Sequence, residues 1–181
     1  MIMARKNMLV GDCVSLLAQG LALLERLDRN LYVRTKGLHC QSGVGSHFRH
    51  CLDFVKSFLD GLETGCVDYN RRERAESIEL YPSVAINRIR ETIAALEALT
   101  IHDGETPLRV SLEGNDDDAS VAALCCASTV VRELQFLQSH LTHHYALVAL
   151  MLRLQGFEPG AEFGVTPSTL RHWRKRAACA R

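Results

Sequence analysis

A chain of 181 residues, 47% of them apolar, is sized for one domain, residues 1–181, that buries about 70% of its unfolded surface in a single core. Its 21 basic and 21 acidic residues cancel, which excludes the global charge that draws a protein to nucleic acid or an acidic surface, so binding must come from a local site. Seven cysteines with no C-x-x-C pair, and an opening MIMARKNMLV without a secretory pattern, predict a reducing, cytoplasmic setting, and no apolar run nears the roughly 20 residues needed to cross a bilayer.

In chain order, Val10, Cys13, Val14, Leu17, Leu21, Leu24 and Leu27 recur three and four apart and predict a first amphipathic helix over residues 4–30. Gly11 and Gly20 weaken it without breaking it. Residues 34–45 carry three glycines and predict a loop, at the end of which Ser42 or Ser46 caps the next helix. This second helix, residues 44–61, lines Val44, Phe48, Cys51, Val55, Phe58, Leu59 and Leu62 along one face and bears His47 and His50 in its opening turns. Residues 65–83, GCVDYNRRERAESIELYPS, are dense in charge. Two readings stay open there: a solvated connection whose arginines pair with local acids, or one in which Arg71, Arg72 or Arg74 turns inward to bind an anionic ligand.

Pro82 and Ser83 open a third helix, residues 82–100, with Val84, Ile86, Ile89, Ile93, Leu96 and Leu99 at helical spacing. Residues 108–113 and 120–124 alternate around a Gly-Asn-Asp-Asp-Asp turn and predict a short β-hairpin, its acidic tip a solvated loop rather than a hard-cation site. The fourth helix starts near Ser128 or Thr129 and stops at Gly156. Beyond it, residues 157–181 read as an irregular tail packed on or extending from the rest. The basic run from Arg171 to Arg176 is then an ordinary charged terminus and not a nucleic-acid arm.

The stretch 133–155, ELQFLQSHLTHHYALVALMLRLQ, organises the chain. At about 100° per residue, Val130, Leu134, Leu137, Leu141, Val148 and Met151 share a stripe, and His140 and His144 fall inside it. A buried imidazole needs a partner for each nitrogen, and two on one face repel if both are protonated. A shared metal ion answers both demands; separate hydrogen-bond partners in the core answer the first. A metal needs a third ligand from elsewhere. The second helix offers one, and its wheel places His47 inside the apolar stripe and His50 at the edge. Four amphipathic helices predict an all-α four-helix bundle with a short β-hairpin before the last long helix, and bundles build cofactor sites from facing side chains.

The text SGVGSHFRHCLDF, with HLTHHYAL about ninety residues later, resembles the DinB/YfiT-like family of four-helix bundles. DYNRRER, the REL before the histidines and the closing FGVTPSTL are similar to a subgroup of it. The resemblance implies His50, five positions after Gly45, with His140 and His144 as metal ligands. It leaves His47 as an alternate or neighbouring group. The cofactor is then a divalent ion, with zinc, nickel and iron all suited to imidazole. His143 lies off the stripe and reads as a rim residue. Glu133, on the stripe two turns before His140, either orients a ligand imidazole or forms a buried ion pair with an arginine.

Three protein ligands leave a coordination position open, as in catalytic metal sites. The resemblance implies a metal-dependent hydrolase or a low-molecular-weight-thiol transferase, with Glu133, His47, His143 and Tyr145 as candidates for proton handling. Its partners are a small-molecule substrate and a small thiol, with no nucleic acid and no membrane. The competing reading is a non-catalytic metal-binding or stress-response protein, a homodimer, whose site is closed by a fourth protein ligand such as Glu133.

Overall fold

The computed structural model describes residues 2–35, 42–99, 104–111 and 125–179. In chain order these form α1 (Ile2–Leu24), α2 (Arg29–Val33), α3 (Val44–Thr64), β1 (Cys66–Val67), α4 (Glu76–Leu80), α5 (Pro82–Ala98), β2 (Pro107–Ser111), β3 (Cys125–Thr129), α6 (Val130–Leu154) and α7 (Pro167–Cys179). The chain is mainly helical. Helix α1 packs against α5 and α6, and α3 packs against the same two, so four long helices close around one core.

Helix α6 obeys its sequence pattern. Val130, Leu134, Leu137, Leu141, Val148 and Met151 are all buried. Thr129 is the N-cap, its hydroxyl accepting from the Arg132 amide at 3.3 Å. At the other end Gly156 takes φ +82°, while the Gly156 amide bonds Arg153 and the Phe157 amide bonds Leu152. That pairing is the Schellman stop that a left-handed glycine allows. Helix α1 runs through Gly11 and Gly20 but ends at Leu24, short of the predicted residue 30. The chain there tightens into three-residue turns, Arg26 to Leu23 and Leu27 to Leu24. Asp28 then starts α2 by accepting from the Leu31 amide.

Other elements depart from expectation for identifiable reasons. The N-cap of α3 is Gly43, with no side-chain cap; Ser46 instead donates to Glu79. The buried stripe of α5 is Ala85, Ile89, Thr92 and Leu96, while Val84, Ile86 and Ile93 lie only partly covered. The connection after α3 contributes β1, which pairs in parallel with β2, while β2 pairs antiparallel with β3. The second hairpin strand is Cys125–Thr129, leading straight into α6; the predicted strand 120–124 and the acidic tip lie outside the described residues.

The tail is irregular only as far as residue 166 and then forms α7. Pro167 occupies its first turn and Thr166 accepts from the Thr169 amide at 3.2 Å. Leu170 is buried, and Arg171 reaches Asp12 of α1 at 2.8 Å, which ties the tail to the helices. Among the described residues, no helix is long and apolar enough to cross a membrane.

Candidate metal centre

Helices α3 and α6 pack together, and their facing surfaces carry all the histidines that sequence spacing singles out. The rings of His50, His140 and His144 form a nearly regular triangle, with centroids 4.9, 4.6 and 4.5 Å apart. Each offers a ring nitrogen within 4.8 Å of the others, so the three could hold a metal ion. His140 and His144 meet because they are four apart on one helix, one turn along the same face.

The environment suits neutral, lone-pair-bearing imidazoles. Burial, then the neighbouring His140, Arg72, His47 and Arg49, lowers the His50 pKa from 6.5 to about 4. Burial, then His143 and Arg72, brings His140 to about 4. Burial, then His140, His50, His47 and His143, brings His144 to about 3. The Nε2 atom of His140 is buried with no hydrogen-bond partner among the described residues. Such an orphaned nitrogen costs free energy unless something binds it, and a cation would. Donor type, spacing and protonation state therefore all fit a divalent metal.

His47 sits beside the triangle, its Nδ1 at 2.8 Å from Nδ1 of His144. The wheel placed it further inward than His50, but both are half-buried and His50 is the residue whose nitrogen joins those of α6. A cavity of about 180 Å³ opens here, lined by Ser42, Ser46, His47, Arg49, His50 and His144. His143 is exposed, its ring 5.2 Å from that of His144.

Two proposed proton carriers lie elsewhere. Tyr145 is one residue, and so about 100°, beyond His144, and its ring points into the core against Phe48 and Phe163. It is 1% exposed, and burial pushes its pKa well above 10. Glu133 is buried and accepts from the hydroxyls of Tyr69, at 2.8 Å, and Ser128; Arg132 stands 3.9 Å away. It does not belong to the histidine group.

An aromatic layer completes the site, and sequence reasoning did not identify it. Phe54 stacks on His140 with centroids 4.1 Å apart, Phe136 lies 5.4 Å from the same ring, and Tyr69 stacks on Phe54 at 4.9 Å. Phe54 is four residues after His50 and Phe136 four before His140, so i, i+4 spacing was the available signal. Tyr69 comes from the segment after β1 and carried no such signal. On the far side of this layer, Tyr69, Glu133, Phe136, Ser128, Arg132 and Cys126 help line a second cavity of about 210 Å³.

No family model, no curated protein and no solved structure matches this chain.

Proposed function

We propose that His50, His140 and His144 bind one divalent ion, zinc, nickel or iron, and that the protein is a DinB-like metal-dependent enzyme, a hydrolase or a low-molecular-weight-thiol transferase. The observation that carries this reading is the convergence of three neutral imidazoles beside a cavity, with the His140 nitrogen otherwise unpartnered. The chemistry supplied there by a bound divalent cation is Lewis acidity, which brings water or a thiol to its anionic form near neutral pH.

The chain's own residues do the rest. Nδ1 of His144 pairs with Nδ1 of His47, one donating and the other accepting, which fixes the ring; with the proton on His144, its Nε2 would be the nitrogen free to hold the ion. Phe54 and Phe136 flank the His140 ring and exclude water from that side. His47 lines the cavity, and its remaining nitrogen, which carries the ring's own proton when Nδ1 accepts, is the group we assign to donating to a bound substrate. His143 stands exposed beside His144, at the rim of the site. A closed, non-catalytic site needs a fourth protein ligand, and Glu133 is already engaged by Tyr69 and Ser128.

The test is a screen of ester and amide hydrolysis and of thiol conjugation with protein loaded with each of the three metals, set against chelator-stripped protein and His144→Ala. Turnover that requires both the metal and His144 is the expected result. Stoichiometric metal without turnover in any arm would instead make the ion structural.

A further inference from the structure

Arg72 lies in the segment between β1 and α4, where the sequence left an inward-turned arginine open. Its Nη1 is 3.2 Å from Nδ1 of His50, and its guanidinium carbon is 5.1 Å from the centre of the Phe54 ring. Three arginines on the packed helices have acidic partners: Arg49 has Glu79 and Asp53, Arg88 has Glu73 and Glu91, and Arg132 has Glu133. Among the described residues Arg72 makes no direct ion pair, although its charge acts on the Asp53 carboxyl, and its Nε is buried without a hydrogen-bond partner. Arg72 therefore turns inward towards His50 and Phe54 with no acid in direct contact.

A guanidinium can only donate hydrogen bonds. When His50 gives one nitrogen to a cation, its other nitrogen carries the proton, and the contact with Arg72 then sets donor against donor. The guanidinium would also face a divalent charge at short range, in a site to which the three imidazoles bring no negative charge. An anion placed between them resolves both conflicts, since it accepts from Arg72 and neutralises two cations at once. Nε and an Nη form the two-pronged edge that matches a carboxylate. A single guanidinium over the Phe54 ring, on which Tyr69 stacks in turn, suits one negative charge on an apolar body better than a phosphate dianion.

We propose that Arg72 receives the carboxylate of the substrate at the open position of the three-histidine centre, so that the ligand is a small carboxylate-bearing molecule. This rests on the metal reading above and assigns the substrate class to it.

The probe is protein loaded with cobalt(II), whose visible spectrum reports ligands entering the open position. Acetate, benzoate, inorganic phosphate and chloride are titrated at constant ionic strength and pH into wild type, Arg72→Gln and Arg72→Lys, with cobalt stoichiometry and far-ultraviolet circular dichroism measured on each. The expected result is saturable binding of the carboxylates, tightest for benzoate. It should weaken about ten- to hundredfold in Arg72→Gln and recover in part in Arg72→Lys, with one cobalt retained throughout. Equal carboxylate affinity in wild type and in a folded, cobalt-loaded Arg72→Gln would overturn the proposal, as would phosphate binding more tightly than either carboxylate. A change in cobalt affinity alone would overturn it too, and would mean that Arg72 only positions His50. If wild type bound no cobalt at all, the metal reading would fail with it, a result distinguishable from the others by stoichiometry.

Discussion

At the scale of single residues, the centre depends on imidazoles kept neutral by burial and by one another. In the unfolded chain a histidine takes a proton near pH 6.5, whereas His50 and His140 hold out to about pH 4 and His144 to about pH 3. Below pH 6.5 the unfolded state is thus the better proton binder, and stability must fall as pH drops from there towards 4. Above that window these groups contribute no slope. Denaturation midpoints of chelator-treated protein between about pH 7.5 and about pH 4.5 should show this decline, and a His50→Gln, His144→Gln double variant should flatten it. An equal slope in the variant would locate the titrating groups elsewhere. His47 acts through His144, so His47→Ala should weaken metal binding about 10- to 100-fold without abolishing it, as read by competition with a chelating indicator.

At the scale of elements, α6 is the rod that carries two of the three rings, and its position depends on a close approach to α1. A Cβ on Gly20 would meet the Tyr145 hydroxyl, and it would lie 2.9 Å from Phe48 Cε1. Alanine gains about 1 kcal/mol of helix propensity over glycine, but overpacking typically costs about 1–3 kcal/mol, and the clash should win. Gly20→Ala is expected to destabilise in chemical denaturation, and Tyr145→Phe should rescue part of the loss, because it removes a buried hydroxyl that has no partner among the described residues. Tyr145→Phe alone should leave turnover unchanged, the opposite of what a proton carrier would show. At the far end of α6, Gly156→Ala forces a side chain into φ +82° and should cost about 1–2 kcal/mol.

At the scale of the whole molecule, what could be read from the sequence is what depends on local period. The long apolar stripe of α6, its Thr129 start and its Gly156 stop are short-range signals, and the stripe carries His140 and His144, both half-buried, towards His50 of α3. His50 was harder, because a wheel drawn from the first turn of α3 favours His47, and only packing against α6 settles which nitrogen joins the pair. Strand β1 is two residues long and is paired with a strand some forty residues later, so no local pattern marks it. Arg72 reaches His50, and Tyr69 reaches Phe54 and Phe136, from the same stretch, where charge density read more readily as a solvated surface. Helix α7 was obscured by the glycines and prolines before it, yet its cap and the Arg171 bond to Asp12 hold it in place.

The most direct measurement is elemental analysis of the protein purified without added metal, beside His50→Ala, His140→Ala and His144→Ala variants whose helical content is verified by circular dichroism. One divalent ion per chain in the wild type, and loss of it in each folded variant, is the predicted result. Wild-type protein without stoichiometric metal, or variants that keep it in full, would contradict the account.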